Sequence, residues 1–552
     1  MATLRFPIHL VLGSIVAVGC TQEWVATPSN PLPVLGTDDE QKPGGNGGAG
    51  GSGGAGAGAG GTGAFGGACM PNPGAPEVVK VGVPGKMMLI GCVVTPEGPV
   101  QGSVFIKSDT IQCVGASCTK DADAFDATVI ETHGVIMPGM IDTHNHILFD
   151  IFDEDDWSPS KPYSNHDQWP QEARYGAMVD AKQYLNNEVA LPPEHGGAKI
   201  PEARGCEMNK YGEMKALVAG TTSVVGAANP LDKICYGSLA RTIDQKPNDL
   251  PEDKIQVATL TPSSETANSV CMKFADDVTD AYVIHRGEGV DEYSRAEFDK
   301  LGELSTDQPG CLYAPETTIV HGTAFGEAEF KIMADKGMSL VWSPRSNVFL
   351  YGAGTDYTKT TDVEMALGLG INVALAPDWS LGGSQNLLDE MRFADEVDKN
   401  RWKDELLSSE MLVQMVTINA AKALGLQDIL GSLEVGKKAD VTVISGDVTQ
   451  PYDAIVAARP NDVSLVVVNG IALYGDAALV EVGPKLPGCE ALDICGTPKF
   501  ACVAEATGTA TDKLKQTWAE ITTTLTTELE AYDALDITQW DFAPLTPLVK
   551  CE

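Results

Sequence analysis

Between residues 135 and 425 the chain alternates short β-branched runs with helical stripes, and this alternation limits the fold more than any other feature. Strands are expected at 135–141, 221–225, 255–260, 281–285, 317–321, 338–342 and 372–376. Met208, Tyr211, Met214 and Leu217 recur at helical spacing over 207–219, a helix that Gly220 ends. Ser408 or Ser409 caps another that runs to Leu424 and stops at Gly425. Strand–helix repeats over roughly 280 residues predict an α/β fold, a (β/α)8 TIM-like barrel. Only seven strands are evident; the eighth is expected between Pro262 and Asp280, at 269–273. A doubly wound sheet is the rival, but no glycine-rich nucleotide turn follows an early strand.

The flanks read differently. Strand-like runs at 86–94, 103–106, 110–114 and 128–130 find a counterpart at 439–444, 463–468 and 471–474, the last two joined by Asn469-Gly470. These runs predict a composite β-sandwich built from 77–136 and 426–483, with the barrel at 137–425 between them. Residues 484–552 form a Cys-rich tail. Its helical stripe over 511–535 carries Leu514, Trp518, Ile521, Leu525, Leu529 and Tyr532, which should pack on the body.

At the start, Arg5 precedes an uncharged stretch at 6–19 that ends at Cys20. Residues 1–20 resemble a lipoprotein-type signal peptide with Cys20 as the lipidated residue; an ordinary cleaved signal is the alternative. Residues 21–76 read as a flexible linker, since 15 of the 24 residues from Gly44 to Gly67 are glycine. Its r.m.s. span is about 40 Å. Export to the cell envelope (outer membrane or periplasm) or secretion follows. Setting Cys20 aside leaves 12 of the 13 cysteines, an even number with no CxxC pair, so disulfides are expected, Cys113–Cys118 being the most local. A net charge of −38 disfavours nucleic-acid partners and confines membrane contact to the lipid anchor. A small-molecule substrate is the expected partner, and a homo-oligomer is compatible with the chain.

Four motifs carry chemistry. In His144-Asn145-His146 the two imidazoles project to one side of an extended strand and can meet one ion. His285 closes a strand and Glu288 follows three residues later; His321 and Asp378 end two further strands. Singly, each has a bland reading, as satisfied core histidines or a helix-capping aspartate. Together they fall at the C-terminal ends of parallel strands, where such barrels keep their chemistry.

This ordered set resembles the motifs of the amidohydrolase superfamily, more narrowly its mononuclear cytosine-deaminase-like and triazine-hydrolase-like branch. Ser343-Pro344-Arg345-Ser346-Asn347 resembles that branch's PxSN element, and Gly436-Lys437-Lys438-Ala439-Asp440 its GKxAD turn. The resemblance implies that His144, His146, His285 and Asp378 bind one divalent metal, Zn²⁺ or Fe²⁺. Such an ion acidifies its bound water toward a pKa of ~7. Glu288 would act as acid/base, His321 would polarise the substrate, and Asp378 would orient the attacking oxygen. The implied activity is metal-dependent hydrolysis at an sp² carbon bonded to nitrogen in a small cyclic substrate, by deamination or by opening a cyclic amide or amidine. Where relatives often carry His-Cys, this chain has Trp342-Ser343. An insertion at 147–204 reads as a lid bearing Trp157, Tyr163, His166, Trp169 and Tyr175. Arg345, Trp342, Trp379 and Trp169 are candidate substrate contacts, whereas His133 and His195 read as structural. The rivals are a binuclear site using a carboxylated Lys273 and a tethered binding protein without turnover.

Overall fold

The computed structural model describes residues 67–227, 235, 239–245, 248, 250, 254–259, 261–505 and 513–551. The expected signal peptide with Cys20, and the part of the expected linker before Gly67, lie outside the described residues.

Strands from both ends of the described chain share one ten-stranded sheet. Val441–Ile444 pairs antiparallel with the end of Thr128–Pro138, Val441 opposite Pro138 and Ile444 opposite Val135. Thr128–Pro138 in turn runs parallel to Lys86–Thr95. At the hairpin between Val463–Val468 and Ile471–Asp476, Asn469 and Gly470 both have positive φ, 52° and 79°, as a tight two-residue turn requires. The tail is not purely helical: Glu490–Ile494 and Thr497–Ala501 form a hairpin that extends this sheet.

Eight further strands are all parallel to their neighbours. β1 (Met140–Asp142), β2 (Thr221–Val224) and β3 (Arg241–Thr242) make one sheet. The second is β4 (Ile255–Ala258), β5 (Ala281–Arg286), β6 (Thr317–His321), β7 (Ser339–Trp342) and β8 (Asn372–Leu375). Val283, Val320, Val341 and Ala374 pack on one face, while Tyr282, Ile284, Ile319 and Leu340 join the larger core on the other. Strands apolar on both faces suit a parallel sheet covered on both sides. Beyond the strand ends, an isolated parallel bridge joins Asn145 to Asp378, with Asp378 N–H donating to His144 O (3.2 Å) and His146 N–H to Asp378 O (2.7 Å).

Three expectations need correction. The run at 135–141 is two strands: Gly139 breaks it, because its N–H donates to Asp440 O and a Cβ there would lie 2.3 Å from Thr222 Cγ2. Residues 269–273 are helical, within Ser264–Ala275, where Ser263 accepts the Thr266 N–H and Ala267, Val270 and Cys271 face the core. The missing strand is β3, two residues long, whose Arg241 is fully buried in an ion pair with Asp440, so no apolar alternation announces it. The helix from Ser408 also divides, into Ser409–Met415 and Ile418–Ala423, because the Val416 carbonyl turns to accept Ile141 N–H (2.8 Å).

The tail helix forms over Trp518–Asp533 behind a Thr517/Glu520 capping box, burying Trp518, Ile521, Leu525, Leu529 and Tyr532. It packs on helix Gly205–Leu217, Trp518 stacking on Tyr211 at 5.4 Å between ring centroids. The twelve described cysteines form six disulfides: 69–92, the expected 113–118, 206–235, 271–311, 489–502 and 495–551.

Candidate metal centre

The strand ends set the side chains. Alternation along β5 turns His285 to the same side as Val283. Beyond it, Gly287 (φ 70°) and Gly289 (φ 151°) bracket Glu288, and a Cβ on Gly287 would sit 2.3 Å from the Phe325 ring, so only glycine fits that turn. His321 and Asp378 hold φ values of 72° and 73°, a costly conformation for non-glycine residues that the surroundings must enforce. The Thr361 hydroxyl donates to His321 O (2.7 Å) and fixes one of them.

His144, His285, His321 and Asp378 each bring a donor atom within 4.8 Å of the others, and all four are buried. His144 Nε2 lies 2.9 Å from Asp378 Oδ1, and His146 Nε2 lies 3.5 Å from the same oxygen. The mutually closest group thus contains His321, while His146 stands beside the shared carboxylate with 24% of its side chain exposed. Ser346 Oγ donates to Asp378 Oδ2 (2.5 Å), and Asn347 Nδ2 lies 3.3 Å from His321 Nδ1. Glu288 presents one oxygen to each side: Oε1 accepts from the Tyr351 hydroxyl (3.0 Å), and Oε2 lies 3.7 Å from His321 Nε2.

Burial, reinforced by the other imidazoles, drives the His285 pKa well below its ordinary value. Burial also lowers His146 to about 4 and His321 to about 3, outweighing the pull of Asp378. Burial alone would raise Asp378, but the His144 hydrogen bond and the surrounding imidazoles hold it well below the usual carboxylate range. Burial pushes Glu288 up to about 7. Neutral imidazoles around an ionised carboxylate are the donor set of a divalent metal, and these residues fit one.

The other candidates separate. Trp379 belongs to the site's wall, its ring 5.7 Å from His146 and 5.5 Å from Trp169. Trp169, Trp157 and Tyr175 pack around it, so the insertion does reach the centre. Trp342 does not line it: the side chain is fully buried, its N–H donates to Thr360 Oγ1 (2.8 Å) and its ring meets Trp402. Arg345 is also engaged elsewhere, with Nε donating to Ser384 (3.0 Å) and the guanidinium 4.7 Å above Phe393. Lys273 lies on helix Ser264–Ala275 and not on a strand, which counts against its use as the strand ligand of a binuclear site. His133 sits apart, against Asn72 O, and His195 ends a short helix at Pro193–His195. Ser346 and Asn347 were marked only by the PxSN resemblance, and Tyr351 was not marked at all. Its one sequence signal is position, four residues after Asn347 on the same helical face.

Several known proteins share this plan. The 5-methylthioadenosine/S-adenosylhomocysteine deaminase of Moorella thermoacetica is 26% identical over 424 residues, 70% of this chain and 93% of the relative. The 5'-deoxyadenosine deaminase of Methanosarcina barkeri is 25% identical, over 68% of this chain and 88% of its own. Among solved structures, E. coli guanine deaminase superposes with a TM-score of 0.51 at 16% identity, covering 71% of this chain and 99% of that one. A mutant atrazine chlorohydrolase from Arthrobacter aurescens, complexed with zinc and atraton, gives 0.51 at 17% identity, over 70% and 95%. At such identities the structures speak to the fold alone, a TIM-barrel-like α/β architecture. Residues 135–473, from the last sheet strand before the HxH turn to the hairpin after the GKxAD turn, match the amidohydrolase family across more than half of the sequence, so the chain belongs to that family.

Proposed function

We propose that this protein is a metal-dependent hydrolase of non-peptide C–N bonds in a small cyclic substrate. One observation carries the reading: the donor atoms of the buried His144, His285, His321 and Asp378 converge within 4.8 Å of one another, with Glu288 Oε2 3.7 Å from His321 Nε2. His144, His146, His285 and Asp378 are assigned to one divalent ion, Zn²⁺ or Fe²⁺, with His321 at its edge. When bound, the ion supplies Lewis acidity and a water acidified to near neutral pH. Glu288 takes the proton of the attacking water and delivers it to the leaving nitrogen, and a carboxyl near 7 is matched to both transfers. His321 polarises the carbonyl or ring nitrogen of the substrate, while Asp378, steadied by Ser346, orients the attacking oxygen. Trp379 offers a flat face to a planar ring. The named relatives deaminate purine compounds or hydrolyse triazines, which supports a nitrogen heterocycle here.

The remaining assignments follow the same reading. Strands β1–β8 close as a (β/α)8 barrel, the Asn145–Asp378 bridge joining first to last, with the ten-stranded sheet as the composite β-domain beside it. Six disulfides suit an oxidising compartment, in keeping with export and an envelope protein anchored at Cys20. The test is metal analysis of the purified chain, with ammonia release from guanine, 5'-deoxyadenosine and an aminotriazine and with substrate loss by ring opening for cyclic amides. Glu288→Gln should retain the metal and lower turnover by ~10²–10⁴-fold. Turnover near wild type in that variant, or a chain that takes up no divalent metal, would defeat the reading.

A further inference from the structure

We infer that Tyr351 is a positioning residue that decides which oxygen of Glu288 carries the transferred proton; this rests on the role of Glu288 proposed above. The phenol is 2% exposed and donates to Glu288 Oε1 at 3.0 Å. With one lone pair of Oε1 taken by the phenol, the proton of the attacking water goes to Oε2, the oxygen 3.7 Å from His321 Nε2. From Oε2 it passes to the leaving nitrogen, so Glu288 ends as it began and no proton is gained or lost. Without the phenol, the carboxyl can rotate and offer either oxygen, and part of its population faces the wrong way.

The insertion completes this support from the backbone side. Residues around Asn165 form an antiparallel bridge to Gly289, with His166 N–H donating to Glu288 O (3.3 Å) and Val290 N–H to Ser164 O (2.7 Å). Asn165 Nδ2 donates to Asp291 Oδ2 (2.7 Å), and His166 Nε2 meets Glu297 Oε1 (2.7 Å), whose other oxygen accepts Gly287 N–H (2.9 Å). Tyr163 N–H donates to Leu350 O (2.9 Å), next to Tyr351 itself. The same insertion therefore clamps both partners, the loop bearing Glu288 and the helix end bearing Tyr351. The Glu288–Tyr351 pair is built in advance, and the insertion acts as a fixed wall of the site.

The experiment is a double-mutant cycle on the full metal-loaded chain with Y351F, E288Q and the double variant, assayed on whichever compound of the panel above turns over. Y351F removes one oxygen and keeps the ring. It should lower kcat 10- to 100-fold with KM, metal content and melting temperature within error of wild type, and it should cost nothing further in the E288Q background. A crystal structure of Y351F, which needs no turnover, should show the Glu288 carboxyl in a second orientation with the histidines unmoved. If Y351F does not fold, Tyr351→His serves in the same cycle. Wild-type kcat in Y351F, additive losses in the double variant, or an unmoved Glu288 would overturn the inference while leaving the hydrolase reading intact. Wild-type activity in E288Q would instead overturn that reading itself.

Discussion

His166 ties the insertion to the loop that bears Glu288: its Nε2 meets Glu297 Oε1 (2.7 Å) and its N–H donates to Glu288 O (3.3 Å). Burial works against its positive charge, but the Glu297 hydrogen bond and the charges of Glu288, Glu297 and Asp167 prevail and raise its pKa to about 9. A folded value above the unfolded ~6.5 means that its contribution is fully present below that pH and is lost as pH rises through about 9. The melting temperature of wild type should therefore exceed that of His166→Gln at pH 6, with the gap closing above pH 9. A gap independent of pH would show that packing, not charge, holds the clamp. Residue type and strand-end position, both local properties, singled out every residue that converges at the metal centre, although His321 and not His146 joins the mutually closest group. They did not single out Tyr351, because its value comes from Glu288, 63 residues away in sequence.

At the scale of elements, Gly139 marks the step from the shared sheet to the first parallel strand. Its missing side chain lets β1 approach β2, where Thr222 Cγ2 and Oγ1 would lie 2.3 and 2.4 Å from a Cβ. Gly139→Ala should destabilise the chain by ~1–3 kcal/mol or more, seen as a lower melting temperature, and Thr222→Ala in the same chain should restore part of the loss. An undisturbed melting temperature in the single variant would mean that the junction is loose. Strand runs such as 317–321 and 463–468 were readable because several apolar β-branched residues agree locally. β3 was not readable, because two residues bring too little pattern and one of them is a buried arginine whose partner is Asp440. The run at 269–273 misled for the converse reason: a short apolar stretch is ambiguous until the Ser263 cap and its helical stripe are weighed with it.

On the scale of the whole molecule, the C-terminal segment straps the catalytic body. Thr546 Oγ1 donates to Asp153 Oδ2 (2.6 Å), Lys550 Nζ pairs with Asp153 (3.0 Å) and Glu154 (2.9 Å), and Phe542 packs on Phe152. These partners lie in the chain just after the HxH turn. Cys495–Cys551 closes a 56-residue span. Cys551→Ser should lower unfolding stability by up to about 4 kcal/mol on the loop-entropy account, measured by denaturant titration, and should make the last residues sensitive to limited proteolysis. Unchanged stability and proteolysis would show that the strap's hydrogen bonds suffice without the bridge.

Taken alone, the order of residues determined the αβ alternation, the rank of the four motifs, the family they belong to and the even set of cysteines, because each is a matter of residue type and short spacing. Tertiary structure decided how the cysteines other than Cys113 and Cys118 pair, where the eighth strand lies, that Trp342 turns into the core and Trp379 into the site, and which oxygen of Glu288 meets Tyr351 and which faces His321. Those outcomes depend on the register of segments tens to hundreds of residues apart, and no local pattern encodes that register.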